Sequence, residues 1–69
     1  MGANVGLSLK LFRVAIRLPQ RQVALRAQLS PSVLSDIENG WRDASQDEIQ
    51  RICAVLGIDP QTLQSRGEP

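Results

Sequence analysis

Sixty-nine residues make one domain and leave no room for a second, and a chain this short buries only about 60% of the surface its unfolded form exposes, so its core is small. An apolar content of 42% is too high for a disordered tail. A lone cysteine excludes an internal disulfide and fits a reducing, cytoplasmic compartment, and no apolar run approaches the ~18 residues that span a bilayer. Eight basic against seven acidic residues leave a net charge of +1, which permits a nucleic-acid partner without arguing for one.

Residues 1–6 are small and glycine-rich and are expected to fray, with no basic region of a secretory signal. A first helix is expected from Leu7 or Leu9 to Arg17, with Ser8 a candidate cap. It is apolar on two sides. Leu9, Phe12, Arg13 and Ile16 share one face; Leu7, Leu11, Val14 and Leu18 share another. Two readings stay open: a deeply buried helix, or a spare interface at Leu7, Leu11 and Val14 for a second subunit or another protein.

Gln20 to Ala27 forms a second helical pattern and Pro31 to Glu38 a third, with Val23, Ala24 and Ala27 matching Val33, Leu34 and Ile37 in spacing. Ser30 is a good N-cap, Pro31 suits the first helical position, and Gly40 suits the position just past the end. Two short helices across so brief a turn are the layout of a helix-turn-helix. A loop at Trp41-Arg42-Asp43-Ala44 follows, and then Ser45-Gln46-Asp47-Glu48, a full capping box. It opens a fourth helix to Leu56, with Ile49, Ile52, Cys53 and Leu56 as its core stripe and Gly57 as its terminator. Asp59-Pro60 repeats the cap-then-proline device for a fifth helix to about Ser65, and residues 66–69 are a loose tail. No alternating β-branched run points to a sheet, so the domain at 7–65 is expected to be all-α.

Chemistry is poorly provided for. The chain has no histidine or tyrosine, Cys53 has no evident base, and Asp36 and Glu38 are two apart on a helix and point in different directions. No Cys/His cluster or glycine-rich phosphate loop occurs. No enzyme, cofactor or metal site is expected.

Leu9, Phe12, Arg13 and Leu18, then Gln20-x-x-Val23-Ala24, Leu29-Ser30, Leu34, Ile37-Glu38-x-Gly40, Ser45, Ile49, Ile52, Cys53, Leu56-Gly57-Ile58 and Leu63 together resemble the phage repressor and Cro family of helix-turn-helix DNA-binding domains. The spacing holds without a gap over about four-fifths of the chain. The resemblance implies a compact five-helix, lambda-repressor-like fold of bacterial or phage origin. Its third helix would enter the major groove, and it would act as a homodimer on a near-palindromic operator in double-stranded DNA.

The resemblance also assigns roles. Gln20 resembles the residue that hydrogen-bonds a phosphate. Arg13 and Glu38 match a structural ion pair between the first helix and the end of the third. Ser30, Ser32, Val33 and Asp36 fall where the family presents side chains to bases and phosphates, and Asn39, Trp41 and Arg42 fall in the loop that grips the backbone.

Two positions depart from the family pattern: Gln28 stands where glycine is usual in the turn, and Ala44 where proline often precedes the fourth helix. The outward face of the third helix offers Pro31, Ser32, Ser35 and Asp36, with no Arg, Lys, Gln or Asn before Asn39. Serine discriminates bases weakly. Asp36 either accepts from a cytosine amino group or repels a phosphate, and Val33 either touches a thymine methyl or packs in the core. Trp41 either covers the core edge or packs on a sugar or a partner.

The cations available to phosphates are Lys10, Arg13, Arg17, Arg21, Arg26, Arg42, Arg51 and Arg66, with Arg17, Arg21 and Arg42 flanking the helix-turn-helix. Neutralising about four phosphates per chain would give a log K against log salt slope near −3.6. Two function classes remain: a sequence-specific DNA-binding transcriptional regulator, expected to be a repressor, and, as the alternative, a protein-interaction module on the same fold, an antitoxin-like, anti-repressor or co-regulator partner with weak or no specific DNA binding.

Overall fold

The computed structural model describes residues 2–66, with side chains over 5–63. Five helices run in order: α1 Gly2–Ala15, α2 Gln20–Arg26, α3 Pro31–Glu38, α4 Gln46–Leu56 and α5 Pro60–Arg66. No strand occurs among the described residues. Residues 67–69 of the expected tail lie outside them. No described helix is long and apolar enough to cross a membrane.

The cap residues act as their chemistry dictates. Ser30 Oγ accepts from Val33 N at 3.2 Å and opens α3, with Pro31 at its first position. Ser45 Oγ accepts from Glu48 N at 3.1 Å while Ser45 N donates to Glu48 Oε1 at 2.9 Å, so the capping box of α4 is complete. The Asp59 carboxylate accepts from Gln61 N at 2.9 Å at the start of α5.

The first four helices end in one way. A residue with left-handed φ follows each: Arg17, Gln28, Gly40 and Gly57, at +61°, +60°, +78° and +74°. The next residue's N–H then reaches back five positions. Leu18 N donates to Arg13 O, Leu29 N to Ala24 O, Trp41 N to Asp36 O and Ile58 N to Cys53 O, at 2.8–3.2 Å. Glycine takes that conformation freely; a side chain there costs roughly 1–2 kcal/mol. Gln28, standing where glycine is usual, thus takes the left-handed backbone despite its side chain.

Leu9, Val23, Ala24, Ala27, Leu34, Ile37, Ile52, Cys53, Leu56 and Leu63 form the core, with Phe12 and Leu18 packed against it. Burial pushes the Cys53 thiol pKa up, and Asp59 pushes it the same way, so Cys53 serves as apolar packing.

α1 corrects two expectations. Residues 2–6 are helical, and the helix stops at Ala15 rather than Arg17. Gly6 bears on the early start, because it lies so close to α3 that an added Cβ would strike the Ile37 carbonyl oxygen, and the left-handed Arg17, with Leu18 N donating to Arg13 O, marks the end. Nor is the helix deeply buried all round, because Leu7, Leu11 and Val14 are each about half exposed. Ile16, grouped on one face with Leu9 and Phe12, is also 50% exposed, since it follows the last helical turn.

Candidate nucleic-acid interface

α3 has one side fixed and one side open. Leu34, Ile37 and Glu38 are buried. Ser32, Ser35, Asp36 and Asn39 follow one another at i, i+3, i+4 and i+7 and so share the opposite face. Ser32 and Asn39 are exposed, Ser35 and Asp36 half-buried. The Asn39 amide donates to Ser35 Oγ over a long 3.4 Å. Pro31 is exposed at the helix start. Beside it an open groove of about 470 Å³ runs along α2, lined by Pro19, Arg21, Gln22, Leu25, Leu29 and Pro31.

A polar network ties α3 to the two helices before it. Glu38, only 5% exposed, receives Arg13 Nε at 2.7 Å, Arg13 Nη2 at 3.1 Å and Gln20 Nε2 at 2.9 Å. Arg13 Nη1 donates to Leu18 O at 2.8 Å. The Arg13–Glu38 pair therefore joins α1 to α3, and Gln20 adds the start of α2. This arrangement is charge-assisted and forked, which fixes geometry as well as energy.

Several side chains assigned to DNA are otherwise engaged. Gln20, matched to a phosphate contact, has its amide on Glu38. Ser30 spends its hydroxyl on its own helix. Val33 is half-buried against the core. Arg42 pairs with Glu48 at 2.7 Å, though its side chain stays 45% exposed. Arg51, counted among the phosphate-seeking cations, turns inward: Nη1 donates to Ala27 O at 3.1 Å and lies 3.5 Å from Gln28 O. Trp41 does not cover the core edge; it is 79% exposed. Arg21 is exposed on α2. The inward role of Arg51 carried no sequence signal, because its carbonyl partners lie 23 and 24 residues away.

A helix-turn-helix family profile matches residues 9–63. The chain belongs to the helix-turn-helix family. It is 37% identical over 46 residues to the control protein C.BamHI of Bacillus amyloliquefaciens, a match spanning 67% of this chain and 57% of that protein. Its fold is similar to that of the clp gene regulator ClgR from Corynebacterium glutamicum, with a TM-score of 0.87, 25% identity, and coverage of 91% of this chain and 82% of that one. It is also similar to the restriction-modification controller protein C.AhdI from Aeromonas hydrophila, with a TM-score of 0.84, 30% identity, and coverage of 88% and 92%.

Proposed function

We propose that this chain is a sequence-specific transcriptional regulator, acting as a repressor, that inserts α3 into the major groove and binds a near-palindromic operator as a dimer. One observation carries the reading. The Ser32–Ser35–Asp36–Asn39 face is open while the other side of α3 is anchored by Leu34, Ile37 and the Glu38 network. Such a helix can enter a groove without the domain rearranging. The relatives named as a control protein, a gene regulator and a controller are consistent with it.

The test is a selection from random duplexes with the purified chain. An enriched palindromic site supports the reading, and no enrichment contradicts it. Ser32→Ala and Asp36→Ala are expected to change the preferred sequence, whereas Arg42→Ala lowers affinity evenly across sequences. Equal losses at all three positions on every sequence would contradict that division.

The exposed stripe on α1 favours a second reading, a protein-contact surface on the same fold. Leu7, Leu11 and Val14 lie off the side where Gly6 and Leu9 meet the core, so a contact there leaves α3 free. The stripe suits a second copy, with Leu11 central and Leu7 facing the partner's Val14 in an antiparallel pairing. Leu11→Asp is expected to leave a monomer on size-exclusion chromatography at concentrations where the unaltered chain is dimeric. A variant that remains dimeric would place the contact at α5 and beyond.

A further inference from the structure

Two of the left-handed helix ends, those at Arg17 and Gln28, lack the glycine that the conformation favours. Each has an arginine on its carbonyls instead. Arg13 Nη1 reaches Leu18 O at 2.8 Å beside Arg17. Arg51 Nη1 reaches Ala27 O at 3.1 Å and lies 3.5 Å from Gln28 O. Among the described residues, no side chain bonds the carbonyls around Gly40 or Gly57 in this way. The guanidinium of Arg51 is held from its own helix by Asp47, at 2.9 Å, and its Nε is buried without a hydrogen-bond partner. The side chain is still 35% exposed, so Nη1 lies on the turn while part of the guanidinium edge faces solvent.

We propose that Arg51 is a positioning residue for DNA binding: from α4 it holds the strained turn at Gln28, and so sets the angle at which α3 is presented. The arginine does by hydrogen bonding what a glycine would do by conformational freedom. Its effect on DNA rests on the regulator reading above; its effect on the turn does not.

The test uses four chains: unaltered, Gln28→Gly, Arg51→Met and the double variant. Each is unfolded in urea, and each is titrated over a salt series against a duplex enriched by the unaltered chain. Arg51→Met is expected to weaken the folded protein's affinity about tenfold, within the coupling range of contacting residues. The salt slope should stay unchanged. In the Gln28→Gly background the same change should cost less than about twofold, and the two substitutions should be non-additive in unfolding. An arginine that instead touches a phosphate would lower the slope by about 0.9 and lose equal affinity in both backgrounds. That result, or additive unfolding losses, would overturn the proposal. If no duplex is enriched, the regulator reading and the DNA part of the proposal fall together, while the unfolding cycle still decides whether Arg51 holds the turn.

Discussion

Glu38→Ala is expected to destabilise the domain by about 3–5 kcal/mol, read as a lower urea midpoint with little change in slope. The carboxylate is 5% exposed and accepts from three N–H groups, two on Arg13 and one on Gln20. Removing it strands the Arg13 guanidinium, whose side chain is only 12% exposed, with Leu18 O as its one remaining partner among these contacts. An isolated, poorly solvated charge is what makes broken ion pairs costly; the intact pair need not be a large net gain. A domain of this size has only about 3–10 kcal/mol in total, so much of the population would unfold. Arg13→Met together with Glu38→Leu should recover most of the loss, because neither charge then remains. A loss below about 1 kcal/mol for Glu38→Ala would show that water reaches Arg13 and that the network does not anchor α3.

Gly6→Ala should destabilise by about 2 kcal/mol, against the sign of helix propensity. In an ordinary helix interior the change gains close to 1 kcal/mol. Here the new methyl meets the Ile37 carbonyl oxygen, with the carbonyl carbon at 3.0 Å and Glu38 Cα at 3.5 Å. All are backbone atoms, so no rotamer change relieves the clash. α1 must lift off α3, which loosens Leu9 against Ile37, and overpacking of this kind costs roughly 1–3 kcal/mol or more. Gly57 is the contrast: nothing lies within 4 Å of its added Cβ, and only its φ of +74° penalises a substitution. Thermal unfolding of Gly6→Ala decides the matter, and a stabilised variant would contradict the close approach of α1 and α3.

The parts of this fold written in local chemistry were legible. Ser30-Pro31, the Ser45–Glu48 box, Gly40 and Gly57 mark ends that hydrogen bonds enforce within a few residues. The start of α1 was not, because Gly6 looks like a flexible residue until α3 is placed against it. The left-handed end at Arg17 was hidden for a related reason, since no glycine announces it, whereas the turn at Gln28 was legible from the helices on either side. In the candidate interface, the open face of α3 and the Arg13–Glu38 pair followed from spacing and resemblance. The engagement of Gln20 with Glu38 and of Arg51 with the turn depends on tertiary proximity, which periodicity does not encode.

The most direct measurement is a titration of the chain against a labelled duplex enriched by selection, repeated over a series of salt concentrations. With Arg13 held by Glu38 and Arg51 on the α2–α3 turn, Arg17 and Arg21 are exposed around the helix-turn-helix, and Arg42, paired with Glu48 but 45% exposed, can exchange that carboxylate for a phosphate. About three phosphates per chain then give a log K against log salt slope near −2.7 per chain. Saturable binding with that slope is the predicted result; a chain that ignores duplex DNA, or binds it with no dependence on salt, would contradict insertion of α3 into the groove.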